Sequence, residues 1–265
     1  MFVRLTFVIS LAALAAGARP AAAEELTYDG ATTIGTKIMK EAAPAFEKKT
    51  GVRISKIGMN GAGKGLKAVL AGEVSMAGVS RSLTPAELAQ KPFFVIVGYD
   101  ALGVFVNEKN PVKVLTKAQL KGIYTGKVKN WKEVGGPSMP IVACSEPVKS
   151  GRATVDSFKS MVLDGEEFGP VKELDDASDC VKLAAQEAGV VGPASMAYAL
   201  AGTRALPLDG VKPTSDEVRA GSYLLSRPLL MVSRTKPEGA LKQFFDYLLS
   251  PEGQQIVGRS FVPVR

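Results

Sequence analysis

The chain reads as an α/β protein built in two lobes. Over residues 26–90 a short β-leaning apolar run, a loop and a helix repeat three times. That rhythm implies a mostly parallel sheet covered by helices on both faces, with ligand loops at the carboxyl ends of the strands. Two closely spaced apolar runs, 93–97 and 102–106, then stop at Asn107-Glu108-Lys109-Asn110-Pro111, and the alternation resumes beyond this break. Near the C-terminus, 223–232 is an extended run long enough to carry the chain back. The expected lobes are 24–106 with 222–265, and 107–221, both within ordinary domain sizes.

Taken in order, residues 26–28 form a strand and 29–33 a turn. Residues 34–48 form a helix, because Ile38, Met39, Ala42 and Phe46 recur at helical spacing. A strand over 52–57, a glycine-rich loop and a helix over 66–71 follow, then a strand over 74–79 and a loop over 80–83. Thr84 caps the next helix, with Pro85 in its first turn and Glu87 at its third position. In the second half, 116–124 is a capped helix, 126–131 a turn and 141–145 a strand. A helix over 150–162 opens at Ser150-Gly151, another spans 182–188, and 190–192 begins a buried strand. The last helix, 239–249, puts Leu241, Phe244, Phe245 and Leu248 on one face.

The glycine-rich loop is the most informative local stretch. Gly58 to Lys64 fits G-x-x-x-x-G-K, but Gly65 stands where a nucleotide-binding P-loop needs Ser or Thr for magnesium. A strand, a glycine turn and a helix start together aim unpaired N–H groups and the positive end of the helix dipole at one place. The loop therefore reads as an anion site, with a ligand-free flexible turn as the alternative, since glycine alone proves little.

Residues 1–23 read as a secretory leader. Arg4 precedes an apolar run over 5–16, and Ala21-Ala22-Ala23 supplies a cleavage site after Ala23. The run is too short to span a bilayer and no cysteine follows the cleavage site, so a periplasmic or secreted protein without a lipid anchor is expected. The mature chain then carries 31 basic and 26 acidic residues, scattered along the sequence. This suits a small acidic ligand and not nucleic acid, which asks for a clustered basic stripe. In an oxidising compartment Cys144 and Cys180 read as one disulfide. With no histidine, neither a conventional zinc site nor a Ser-His-Asp triad can be built, and no cofactor or metal is called for.

A set of motifs adds a resemblance. They are Gly30-Ala31-Thr32-Thr33, Asn60-Gly61-Ala62-Gly63-Lys64-Gly65-Leu66, Ser80-Arg81, the run from Leu115 to Lys127 with Ile123-Tyr124-Thr125-Gly126, Asn130-Trp131, Ser150-Gly151 and Ser250-Pro251-Glu252-Gly253-Gln254. In this order the mature chain resembles the phosphate-binding proteins of phosphate-specific ABC transporters, in their shorter form. The resemblance implies a type II periplasmic binding protein fold, with two α/β lobes, two hinge strands and an anion gripped in the cleft between the lobes. It also implies a binding protein and not an enzyme, acting as a monomer that delivers phosphate or a similar tetrahedral oxyanion to a membrane permease.

Carried over residue by residue, the resemblance assigns ligand contacts to Thr32 and Thr33 in the first loop, and to Gly61, Ala62 and Gly63 in the second. Many relatives have serine at the position of Ala62, so only the backbone donor remains there. Ser80 and Arg81 form the third loop, and Ser150 and Gly151 the fourth. Capping is the alternative role for Thr32 and Ser150. Three positions depart from the long form of the family: Arg81 replaces an aspartate, Glu146 aligns with an arginine, and Arg152 replaces the threonine after Ser-Gly. In the long form a buried carboxylate selects phosphate, which carries a proton, over sulfate, which does not. Glu146 is the candidate to supply that acceptor from the opposite lobe, with Arg81 and Arg152 adding charged contacts. Pairing of Glu146 with Arg152 alone is the competing arrangement. Two further functions stay open on sequence: a secreted sensor, scavenger or partner-binding protein on the same fold, and a P-loop nucleotide hydrolase, which Gly65 and export both disfavour.

Overall fold

A computed structural model describes residues 25–264. The expected leader lies outside the described residues. Strand β1 (Leu26–Gly30) runs through Ala31 into one continuous helical stretch. This comprises α1 (Thr32–Ile34), a π-helical segment Gly35–Met39 and α2 (Lys40–Thr50), which ends at left-handed Gly51. Then come β2 (Ile54–Ile57), α3 (Ala62–Ala71), β3 (Met76–Val79) and α4 (Pro85–Leu88). The capping box read from Thr84 and Glu87 is present: Glu87 N donates to Thr84 Oγ1 at 3.3 Å and Thr84 N to Glu87 Oε2 at 2.8 Å.

The two apolar runs at 93–106 are one strand, β4 (Phe93–Asn107). Beyond it lie α5 (Lys117–Tyr124), β5 (Val142–Ser145), α6 (Ala153–Met161), β6 (Lys172–Glu173), α7 (Ala177–Gln186) and β7 (Val190–Ser195). After β8 (Thr203–Leu206) and α8 (Ser215–Arg219) the chain returns through β9 (Ser226–Ser233) to α9 (Gly239–Leu249), α10 (Pro251–Gly258) and β10 (Val262–Pro263).

The strands form a ten-stranded curled sheet in the order β2-β1-β3-β9-β4-β7-β5-β6, with β8 and β10 added on β4. Two parallel triplets, β2-β1-β3 and β7-β5-β6, flank an antiparallel centre of β9 and β4. Along β4 the partner changes, from β9 up to Ala101 to β7 from Leu102 onward. One strand thus belongs to both halves of the sheet. Each half has its own core: Phe46, Leu66, Met76, Phe244 and Leu248 cluster in the first, and Tyr124, Trp131, Phe158 and Leu206 in the second. These are the two lobes.

Four helical stretches begin elsewhere than the sequence suggests: α1 begins at Thr32 and not at residue 34, α7 at Ala177 and not at residue 182, and the other two differ at the loops that matter most. Helix α3 starts at Ala62 and not at residue 66, so the glycines after Gly61 form its first turn. Helix α6 starts at Ala153 and not at Ser150, because Gly151 adopts a left-handed backbone (φ 67°) that interrupts the helix before it begins. Several motif residues prove to be scaffold. Fully buried Tyr124 donates its hydroxyl to Cys144 O at 3.0 Å and Val191 O at 2.9 Å, and Trp131 Nε1 donates to Gly189 O at 3.0 Å. Gln254 Nε2 bridges Val97 O and Leu248 O at 3.0 and 2.8 Å, which ties the C-terminal helices to β4. The Cys144–Cys180 disulfide, with Cα atoms 5.7 Å apart, fastens β5 to α7 inside the second lobe.

Candidate functional site

The ends of six strands, β1, β2, β3, β5, β6 and β7, and the loops that follow them converge between the lobes. They enclose a cavity of about 20 Å³ lined by residues that include Thr32, Thr33, Gly61, Ala62, Ser80, Glu146, Arg152, Ala153, Thr154, Asp176 and Tyr198. Drug-sized ligands need roughly 300–1,000 Å³, whereas about 10–15 Å³ admits a water, so this cavity is on the scale of one small ion.

The donors come from helix starts. Thr32 and Thr33 form the first turn of α1, Ala62 that of α3, and Ala153 and Thr154 that of α6, where backbone N–H groups have no intrahelical acceptor. With Asp176 and Ala177 at the start of α7 also in the wall, four helix N-termini face one cavity, each with the positive end of its dipole. The Asp29 carboxylate sets the spacing of the first two loops, accepting Gly30 N at 2.8 Å and Asn60 N and Nδ2 both at 3.0 Å. Gly65 explains the near miss to a P-loop: a Cβ there would lie 2.5 Å from Gly30 Cα and 2.7 Å from Asp29 O. Helix α3 therefore packs directly on the end of β1, and no hydroxyl-bearing side chain fits.

Ser80, at the end of β3, is 1% exposed, and its hydroxyl has no hydrogen-bond partner among the described residues. A buried hydroxyl without a partner costs about 1–3 kcal/mol. It lines the cavity, so the energetic deficit lies at the cavity wall.

Glu146 and Arg152 are paired, with Arg152 NH1 donating to Glu146 Oε1 at 3.2 Å, and both also line the cavity. Glu146 is 5% exposed, so this is no solvated rim pair. Its second oxygen accepts no hydrogen bond from the described residues. Burial pushes the Glu146 carboxyl above the usual carboxylate range, Arg152 pulls it back, and Asp176 adds to the rise. Asp176 Oδ2 lies 3.8 Å from Arg152 NH1, so one guanidinium stands between two carboxylates.

Other residues expected at the ligand are turned to different partners. Arg81 is absent from the cavity wall: its Nε donates to Asp156 Oδ2 at 3.0 Å and its terminal nitrogens to both Glu87 oxygens at 2.8 Å. Burial works against the Arg81 charge, yet these carboxylates hold its pKa above the ordinary value. Gly63 N donates across the cleft to Gly151 O at 3.3 Å, and Gly61 N to Gly30 O at 2.9 Å. Ser150 Oγ accepts from Arg152 N at 3.4 Å, outside the cavity wall. Lys64 is exposed. The lobes touch again where Tyr198 OH meets Thr36 Oγ1 at 3.0 Å and Lys37 sits 5.0 Å over the Tyr198 ring.

Thr154, Asp176 and Tyr198 join the wall without being singled out by the sequence. Asp176 is discoverable as the cap of α7, since its side chain accepts Ser178 N at 2.9 Å. Thr154 is hidden when α6 is started too early, and Tyr198 gives no local signal.

The relatives are consistent with this geometry. The phosphate-binding protein PstS of Bacillus subtilis is 29% identical over 249 residues, spanning 92% of this chain and 82% of that protein. A putative phosphate ABC transporter substrate-binding protein from Clostridium perfringens, solved with bound phosphate, matches with a TM-score of 0.84 at 32% identity, over 91% of this chain and all of that one. An ABC-type phosphate transport receptor from Vibrio cholerae matches with a TM-score of 0.79 at 25% identity, over 91% of this chain and 100% of that one. The fold is the type II periplasmic binding fold of these proteins. A PBP superfamily domain spans residues 15–252. The chain belongs to the PBP superfamily and is kin there to the substrate-binding proteins of phosphate ABC transporters.

Proposed function

We propose that this chain captures inorganic phosphate in the cleft between its lobes and delivers it to an ABC permease, as an exported monomer. The lobes in this reading are 24–106 with 222–265, and 107–221. The observation that carries it is the buried Ser80 hydroxyl, which has no partner among the described residues and stands at the wall of a cavity faced by four helix N-termini. A tetrahedral oxyanion satisfies both at once, with no metal.

The N–H groups of Thr32, Thr33, Ala62, Ala153 and Thr154, the hydroxyls of Ser80 and Thr154, and the Arg152 guanidinium serve as donors. The free oxygen of Glu146 serves as acceptor for a phosphate proton. Gly61 shapes the loop, while Gly63, Arg81, Ser150 and Gly151 serve closure and loop geometry. A hydrolase reading finds no support, since Gly65 leaves the magnesium position without a ligand.

Calorimetry of the mature protein with phosphate, sulfate and an organophosphate tests the reading. Phosphate is expected to bind tightly, and Ser80→Ala to weaken it about tenfold to a hundredfold, the value of one hydrogen bond to a charged group. Ligand-free Ser80→Ala should be at least as stable as the parent, because the unpartnered hydroxyl is gone. Absence of heat and of thermal stabilisation with every oxyanion would reject phosphate capture.

A further inference from the structure

Where the two hinge strands lie side by side, Asp100 of β4 and Arg227 of β9 are direct cross-strand partners. Both side chains are buried, at 1% and 0% exposure. Arg227 Nε and NH2 donate to Asp100 Oδ2 at 3.0 and 2.9 Å, and Ser195 Oγ of β7 donates to Asp100 Oδ1 at 2.7 Å. The network does not end at the hinge. Arg227 NH1 also donates to Thr154 Oγ1, at 3.3 Å, in the first turn of α6.

A guanidinium can only donate, so the bond to Arg227 takes up acceptor capacity of the Thr154 oxygen and leaves the Thr154 proton for another group. No acceptor among the described residues takes that proton, and in the first turn of α6 there is no preceding helical carbonyl to receive it. Thr154 lines the cavity. We propose that Arg227 is a positioning residue for the anion site: by occupying the Thr154 oxygen from behind, it turns that hydroxyl into a donor aimed at the ligand. Through Asp100 it also fixes this donor to the hinge strands, so the ligand-holding turn of α6 and the hinge share one buried network. This rests on the phosphate reading above.

The test is a mutant cycle on the mature chain, read by calorimetry with inorganic phosphate. Its members are the parent, Thr154→Val, the paired change Asp100→Asn with Arg227→Gln, and the triple variant. The paired change removes both charges together, so that no buried charge is stranded. Thr154→Val and the paired change should each weaken phosphate about tenfold, while the triple variant should be no more than about twofold weaker than Thr154→Val. Thr154→Ser, which keeps the hydroxyl, should stay near the parent and remain sensitive to the paired change.

Arg227 acting only as hinge structure or as a distant positive charge predicts that the paired change costs the same in the Thr154→Val background as in the parent, and that result would overturn the proposal. So would a paired variant that binds like the parent. If thermal melting shows the paired variant unfolded, Arg227→Lys takes its place and is read in the same cycle, since one ammonium can serve Asp100 but cannot span both partners. A parent chain that takes up no phosphate defeats the phosphate reading and this proposal together. A parent that binds, with an additive cycle, defeats only the proposal.

Discussion

Glu146→Gln separates two closely similar anions by a single proton. In the parent, Glu146 lines the cavity, its Oε1 accepts from Arg152 NH1 at 3.2 Å, and its other oxygen accepts no hydrogen bond from the described residues. A phosphate bearing a proton can donate to that oxygen, a charge-assisted bond worth about 1.5–3 kcal/mol. Sulfate at neutral pH has no proton to offer. Two like charges about 4 Å apart repel by roughly 4 kcal/mol at an effective dielectric constant near 20, which is almost a thousandfold in affinity. Glutamine keeps an oxygen for Arg152 and turns an amide donor toward the ligand. Sulfate affinity should therefore rise by about a hundredfold, while phosphate changes by about tenfold or less. The pH dependence gives a second reading. Burial raises the Glu146 carboxyl above its ordinary range, so it takes up a proton on acidification before an exposed carboxylate would. Sulfate binding to the parent should then strengthen as pH falls through that titration, and sulfate binding to Glu146→Gln should not follow it. Calorimetry of both proteins with both anions across the acidic range measures this. Equal sulfate affinity at neutral pH together with superimposable sulfate profiles would refute the acceptor role.

Replacing Cys144 and Cys180 together with alanine should lower unfolding free energy by up to about 4 kcal/mol, the loop-closure value for a separation of 36 residues. Denaturant midpoints of the two proteins measure it, and an unchanged midpoint would contradict the argument. Asp156→Asn should weaken phosphate about two- to fivefold by loosening the tie to Arg81, a modest effect because the Asp156 side chain is 37% exposed and its pairing is screened. Small-angle scattering of the ligand-free protein should show a more open average shape, and unaltered shape and affinity would remove Arg81 from closure.

What can be read from the sequence is whatever local rules decide. The capping box at Thr84, the cap at Thr116 and the three strand-loop-helix repeats follow from neighbours in the chain, the cysteine bridge follows from an even pair in an oxidising compartment, and each is present. The glycine loop is legible as an anion-facing turn but not in its details, since the clash that excludes a side chain at Gly65 comes from the Gly30 backbone on another strand. Arg81 looks like a ligand contact because the sequence shows only its neighbours. Its partner Asp156 lies 75 residues away and is supplied by the other lobe. The start of α6 is misread because Ser150-Gly151 has the composition of a helix opening, and only the left-handed backbone at Gly151 moves the first turn on to Ala153. That shift hides Thr154.

The charged residues near the cleft make sense as a division of labour. Helix starts already supply a dense set of neutral donors, so a further unpaired cation at the ligand would add affinity without telling one oxyanion from another. Here each arginine near the site is committed to a carboxylate: Arg81 to Glu87 and Asp156, Arg152 to Glu146, and Arg227 to Asp100. Arg81 joins the lobes, Arg227 joins the two hinge strands and reaches α6, and only Arg152 lines the cavity. Even there its charge is offset by Glu146, whose remaining oxygen is the acceptor in the proposed phosphate reading. In the proposed reading such a site gains its attraction from aligned backbone dipoles and its selectivity from a carboxylate, and on that reading Glu146 and Asp176 are compatible with an anion in the cavity they line.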